Sequence, residues 1–142
     1  MESMKEGFNV IEEIKVPSSF EHLSKIEGLI DRSCATASVS EDNYGNVLIA
    51  VTEAFNNAVV HGNKNDDSKT VNLQVGHTDE ELCFVLQDEG TGFDYENVAD
   101  PTAPENIEKE NGRGIYLMRH LADLVEFENE GREVSIFFKK ND

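Results

Sequence analysis

Apolar residues along the chain switch between two rhythms, alternation and helical spacing, and the switches outline most of the fold. Phe8, Val10, Ile14 and Val16 alternate with polar neighbours over 8–16, which predicts a strand, and Pro17-Ser18-Ser19 supplies a break and a helix cap. Leu23, Ile26, Leu29 and Ile30 recur at three and four, so a helix with one buried stripe is expected from about Phe20 to Ser33. A second helix begins after Ser38-Val39-Ser40, with Ser40 as its cap. It runs through Val47, Leu48, Val51, Ala54, Phe55, Ala58 and Val59 and stops near Gly62-Asn63, a pair suited to ending a helix. Thr70 to Val75 and Leu82 to Gln87 read as two strands joined by the charged turn Thr78 to Glu81. From Thr91 to Asn111 the pattern dissolves into Gly, Pro, Asp, Asn and Glu, about twenty residues, longer than most connections in a compact domain and expected to be either a lid, mobile without nucleotide, or a disordered insertion. Ile115, Leu117, Met118, Leu121 and Ala122 then form a short amphipathic helix. Leu124 to Glu128 and Glu133 to Phe138 form a last hairpin turning at Asn129-Glu130-Gly131.

Strands and helices do not alternate in this order, which disfavours a doubly wound parallel sheet. The expected architecture is α+β, a two-layer sandwich with a mostly antiparallel mixed sheet and its helices on one face. At 142 residues the chain has the size of one domain, spanning 1–142. Lacking a signal-like start or an apolar run near the roughly 18 residues that span a bilayer, it is expected in the cytoplasm. The net charge of −17 argues against direct nucleic-acid binding, which draws its affinity from lysine and arginine. That charge is compatible with a basic protein partner, but solubility through self-repulsion is its more common meaning. Cys34 and Cys83 lie far apart and outside any Cys-x-x-Cys pattern, so two free thiols are expected.

Three short segments carry candidate chemistry. Glu53, Asn57 and His61 fall at i, i+4 and i+8 of the second helix and so project from roughly one face. Asn57 could give an oxygen to magnesium, and Glu53 could take a proton from a nucleophile aimed at a terminal phosphate; a solvated helix face would have the same spacing. Asn56-Asn57 inside an otherwise apolar helix breaks the propensity rule twice, which invites a functional reason. His61 beside Gly62 is either a phosphate contact or a residue favoured by the helix dipole. Asp88, ending a strand, could accept from an exocyclic amine such as that of adenine, while Gly90 and Gly92 let backbone approach a flat base; turns of this kind are also common without a ligand. Gly112-Arg113-Gly114 precedes a helix whose amides could hold phosphate oxygens, or is a plain loop-to-helix hinge. No Gly-x-x-x-x-Gly-Lys-Ser/Thr loop occurs, which argues against a P-loop protein.

Taken together, these segments resemble the three boxes of the GHKL, or Bergerat-fold, ATPases. Within that superfamily they are most similar to the anti-sigma-factor serine kinases. The segment from Glu53 through Asn57 and His61 to Asn63 is similar to the N box, Asp88 to Asp94 to the first glycine box, and Asn111 to Met118 to the second. The resemblance implies Glu53 as catalytic base, Asn57 as magnesium ligand and Asp88 as the carboxylate that reads adenine. It implies that Gly90, Gly92, Gly112 and Gly114 shape the pocket and its lid, with His61 and Arg113 beside the nucleotide. Lys109 stands near where some members carry an arginine, and Gly131 is followed by Arg132-Glu133 where members often carry Gly-Thr. The implied cofactors are ATP and Mg2+. The implied activity is ATP-dependent phosphorylation of a serine on an anti-anti-sigma (STAS-type) protein, with a sigma factor as competing partner and a homodimer as the common assembly. The competing readings are a non-catalytic ATP-regulated interaction module and the catalytic domain of a histidine kinase, the latter expecting autophosphorylation at His22, His61, His77 or His120.

Overall fold

The computed structural model describes residues 4–91 and 110–140, with backbone only for 110–113. The stretch expected to be a lid therefore lies almost wholly outside the described residues, as do Gly92 and Lys109. Strand β1 is Asn9–Pro17, followed by a single 3-10 turn at Phe20–His22 and helix α1, Leu23–Thr36. The spacing anticipated one helix from Phe20, but Ser19 caps only the short turn, accepting from the Glu21 amide at 3.2 Å, and α-helical bonding begins at Leu23. Helix α2 is Glu41–Asn57 and continues as a π turn, Ala58–Gly62. Ser40 caps it as expected, accepting from the Asn43 amide at 3.3 Å. Strands β2 (Thr70–His77) and β3 (Glu81–Gln87), helix α3 (Glu110–Leu121), and strands β4 (Leu124–Glu128) and β5 (Glu133–Lys139) complete the chain.

The strand order is β1-β2-β3-β5-β4, and all four pairings are antiparallel, so the expected mixed character is absent from the described residues. Alternation along the strands sends Val71, Leu73 and Val75 of β2, Leu82, Phe84 and Leu86 of β3, and Val134, Ile136 and Phe138 of β5 into one core. Helices cover that face only. They contribute Ile26, Leu29 and Ile30 from α1, Val47, Ala50, Val51, Ala54 and Phe55 from α2, and Ile115 and Met118 from α3. Leu117, assigned to the apolar stripe by spacing, is exposed, because only the Ile115 and Met118 side of α3 meets α2 and the sheet.

The opposite face of the sheet carries a second, smaller apolar cluster of Cys83, Val85 and Phe137, covered by Met4 and Phe8. Phe8 meets Phe137 edge-on at 5.9 Å between ring centres, and Lys5 donates to Glu128 at 2.6 Å. The segment before β1 thus straps across the helix-free face. Cys34 and Cys83 are buried as free thiols, and burial pushes the Cys34 thiol up to about 11 and the Cys83 thiol up to about 12, far from reactive thiolates.

Candidate functional site

Helix α2 and the turn that ends it organise the site. Glu53 and Asn57 lie one helical turn apart on α2, both half-buried at the margin of its apolar stripe. The winding widens directly after Asn57, and the Asn63 amide closes a five-residue step by donating to the Ala58 carbonyl at 2.8 Å. Single π turns of this kind recur at functional sites. His61 sits inside the turn, so its orientation follows from π winding rather than from the uniform α-helical step assumed from spacing.

At the far side of the turn the backbone meets the end of β3. An ideal Cβ on Gly62 would lie 2.4 Å from Asp88 Oδ2 and 2.5 Å from its Cγ, so only a glycine allows the Asp88 carboxylate to rest where it does. A Cβ on Gly90 would lie 1.9 Å from the Gly62 carbonyl oxygen. These two glycines and the carboxylate form one tight cradle. Asp88 is held further by its own turn, its Oδ1 accepting from the Gly90 amide at 2.8 Å while its amide donates to the Arg132 carbonyl at 2.9 Å. Burial pushes the Asp88 carboxyl above its ordinary value, opposed by the Gly90 hydrogen bond and by the charges of Arg132 and Lys69. The carboxyl is still half-open to incoming groups.

The second glycine segment falls differently from the sequence expectation. Helix α3 already begins at Glu110, so Gly112, Arg113 and Gly114 belong to its opening turns instead of preceding it. The first-turn amides, which have no partner further back in the helix, still include that of Gly112. Gly114 is buried where α3 crosses α2, and a Cβ there would lie 3.3 Å from Glu53 Oε1. Glu53 and Gly114 therefore form a second contact pair, nine residues along from Gly62, or roughly 13 Å at 1.5 Å per residue.

The sequence reading did not single out the residues that fasten this arrangement. Asn63 is fully buried. Its Nδ2 donates to the Thr70 carbonyl at 3.0 Å and its Oδ1 accepts from the Glu89 amide at 2.8 Å. Glu89 Oε2 accepts from the Thr70 amide at 2.6 Å and hydroxyl at 2.5 Å, and these bonds, the hydroxyl first, hold the Glu89 carboxyl below its ordinary value. Gly62-Asn63 looked like a helix stop, yet neither takes the left-handed conformation: Asn63 has φ −88° and ψ 0°, and the positive φ values fall on Lys64 and Asn65.

An open cavity of about 540 Å³ adjoins the cradle. Lys15, Asn72, Gln87 and Glu133 line it from one cross-strand row of the helix-free face, and Asp88 and Arg132 line its edge. It does not reach Glu53, Asn57 or His61, which lie on the helical side. Among the described residues no three His, Cys, Asp or Glu side chains gather as a metal site.

Residues 16–138, which carry this helix face, π turn and glycine-cradled carboxylate, match the histidine kinase-like ATPase domain. The chain belongs to that family. Among curated ATPase-domain relatives it is similar to the serine-protein kinase RsbW of Staphylococcus epidermidis, with 34% identity over 120 residues, 80% of this chain and 76% of the relative. The serine-protein kinase RsbW of Staphylococcus aureus (strain Newman) is 32% identical over the same shares. Within this histidine kinase-like ATPase, among the described residues, no helix is long and apolar enough to cross a membrane.

Proposed function

We propose that this chain is an ATP-dependent serine/threonine protein kinase of the anti-sigma type, acting in the cytoplasm on an anti-anti-sigma (STAS-type) protein and controlling a sigma factor by exchange of partners. The observation that supports it most is the pair of contacts strung along α2, Gly62–Asp88–Gly90 at one end and Glu53–Gly114 at the other. Their separation suits a nucleoside triphosphate lying along the helix, base at the cradle and terminal phosphate near Glu53. The close packing of Gly62 and Gly90 fixes where the Asp88 carboxylate stands at that end.

In this reading Asp88 accepts a hydrogen bond from the exocyclic amine of adenine, and Gly90 and Gly92 leave room for the ring. The opening amides of α3, around Gly112, face the phosphates, with Arg113, Gly114, His61 and Lys109 as further contacts. Asn57 would hold magnesium, an amide oxygen being suited to a hard cation that keeps most of its other ligands as water and phosphate. When bound, the metal would offset phosphate charge. Glu53 takes the proton from the attacking serine hydroxyl, whose oxygen bonds to the terminal phosphorus as the bond to the bridging oxygen of ADP breaks. The relatives named serine-protein kinase support this choice of acceptor. A homodimer is the assembly we expect.

The test is transfer of labelled terminal phosphate from Mg-ATP to a candidate partner by wild type and Glu53→Ala. The expected outcome is loss of transfer in Glu53→Ala with Mg-ATP affinity kept within about threefold. Wild-type partner binding that responds to ATP without any transfer would establish the non-catalytic interaction module instead.

A further inference from the structure

We propose that Asn63 is a positioning residue for nucleotide recognition, clasping the Asp88-Glu89-Gly90 turn to the end of α2 so that the Asp88 carboxylate is presented to the base at a fixed point. The inference rests on the reading of Asp88 as the acceptor for adenine. Asn63 joins three elements through three hydrogen bonds. Its amide closes the π turn on Ala58, its Nδ2 reaches Thr70 at the start of β2, and its Oδ1 receives the amide of Glu89 between Asp88 and Gly90. A fully buried polar side chain needs all of its partners, and here each partner lies on a different piece of the cradle.

The backbone at this position would accept many residues, since φ −88° and ψ 0° are open to any side chain. What the position requires is the amide group, with a donor and an acceptor on one short stem. Aspartate offers no donor to the Thr70 carbonyl, and alanine offers neither group. Glu89 repeats the clasp from the solvent side, gripping the amide and hydroxyl of the same Thr70 whose carbonyl Asn63 holds. The turn is thus tied on both flanks to the first residue of β2. Gly90 can then lie against the Gly62 carbonyl, a contact too close for any side chain and not self-supporting in a glycine turn.

Because the clasp acts through Asp88, it governs base discrimination more than overall binding. Inosine triphosphate, which carries a carbonyl oxygen in place of the adenine amine, is the probe, since at that exocyclic position it presents an acceptor to Asp88 where adenine presents a donor. Mg-ATP and Mg-ITP affinities would be measured by calorimetry for wild type, Asn63→Ala, Glu89→Ala and Asp88→Asn, with thermal melting of each. The expected result is a preference for ATP over ITP in wild type that shrinks about tenfold in Asn63→Ala and by a smaller factor in Glu89→Ala. Should Asn63→Ala not fold, the exposed Glu89→Ala carries the same test. An unchanged ATP-to-ITP ratio in the folded variants, or an equal fall in both affinities, would overturn the positioning role while leaving the kinase reading intact. A wild type with no preference for ATP, or an Asp88→Asn variant that keeps it, would overturn the reading of Asp88 and this inference with it.

Discussion

Adding one methyl group at Gly62 probes the cradle with the smallest possible perturbation. Gly62 does not have a positive φ, so alanine fits its backbone and, by restricting the unfolded chain, contributes about 0.4–1 kcal/mol of stability. Against that, the new Cβ would sit 2.4 Å from Asp88 Oδ2, where ordinary contact begins at 3.4 Å. The carboxylate must retreat by about 1 Å, which strains or breaks its 2.8 Å bond from the Gly90 amide at a cost of about 1–2 kcal/mol, with crowding adding about 1–3 kcal/mol. The net loss for Gly62→Ala is then about 1–5 kcal/mol, and for a domain of this size Tm falls by roughly 3–15 °C. Binding suffers more. A displaced Asp88 forfeits a charge-assisted hydrogen bond worth about 1.5–3 kcal/mol, a 10- to 100-fold weaker affinity for Mg-ATP. Calorimetry at a temperature where both proteins are folded would measure this, and the double variant Gly62→Ala/Asp88→Asn should bind no worse than Asp88→Asn alone, because both changes remove one interaction. A Gly62→Ala protein that binds Mg-ATP within about threefold of wild type would refute the assignment of Asp88 to the base.

Other expectations follow from the same contacts. The Asp88 carboxyl titrates above its ordinary value of 3.8 in the folded protein, so the folded state holds that proton more tightly than the unfolded chain. Its contribution to stability is therefore most favourable below 3.8 and is lost as pH rises through the raised value. Urea midpoints of wild type relative to Asp88→Asn should accordingly rise as pH is lowered from neutrality through that window, and a difference flat with pH would contradict the burial argument. On the helix-free face, Phe8→Ala removes the edge-on pair with Phe137 and part of the cover over Cys83 and Val85, at a cost of about 1–3 kcal/mol. Equilibrium urea unfolding would register it as a lower midpoint, and an unchanged midpoint would mean that the strap before β1 does not seal the sheet.

The elements were legible because each rests on short-range physics. Alternation in Thr70 to Val75 and the three-and-four spacing of Ile26, Leu29 and Ile30 reflect which side of one element faces the core, and Ser40 caps α2 as its residue type implies. The order of the three boxes was likewise readable and sufficed to suggest the family. The same reasoning misjudged positions where a neighbour distant in sequence decides. Leu117 fits the apolar spacing of α3 but is exposed, and the glycines expected ahead of that helix lie within it.

Gly62 and Asn63 illustrate the division most plainly. Their residue types announced an interruption of α2, as sequence alone can. Why the first must lack a side chain depends on a carboxylate 26 positions later, and why the second is an amide depends on Thr70 at the start of β2 and Glu89 in the turn after β3. Local propensities depend on a few consecutive residues and are therefore written into the sequence. Close packing between elements depends on how the sheet and helices come together, and only the folded chain determines which atoms finally meet.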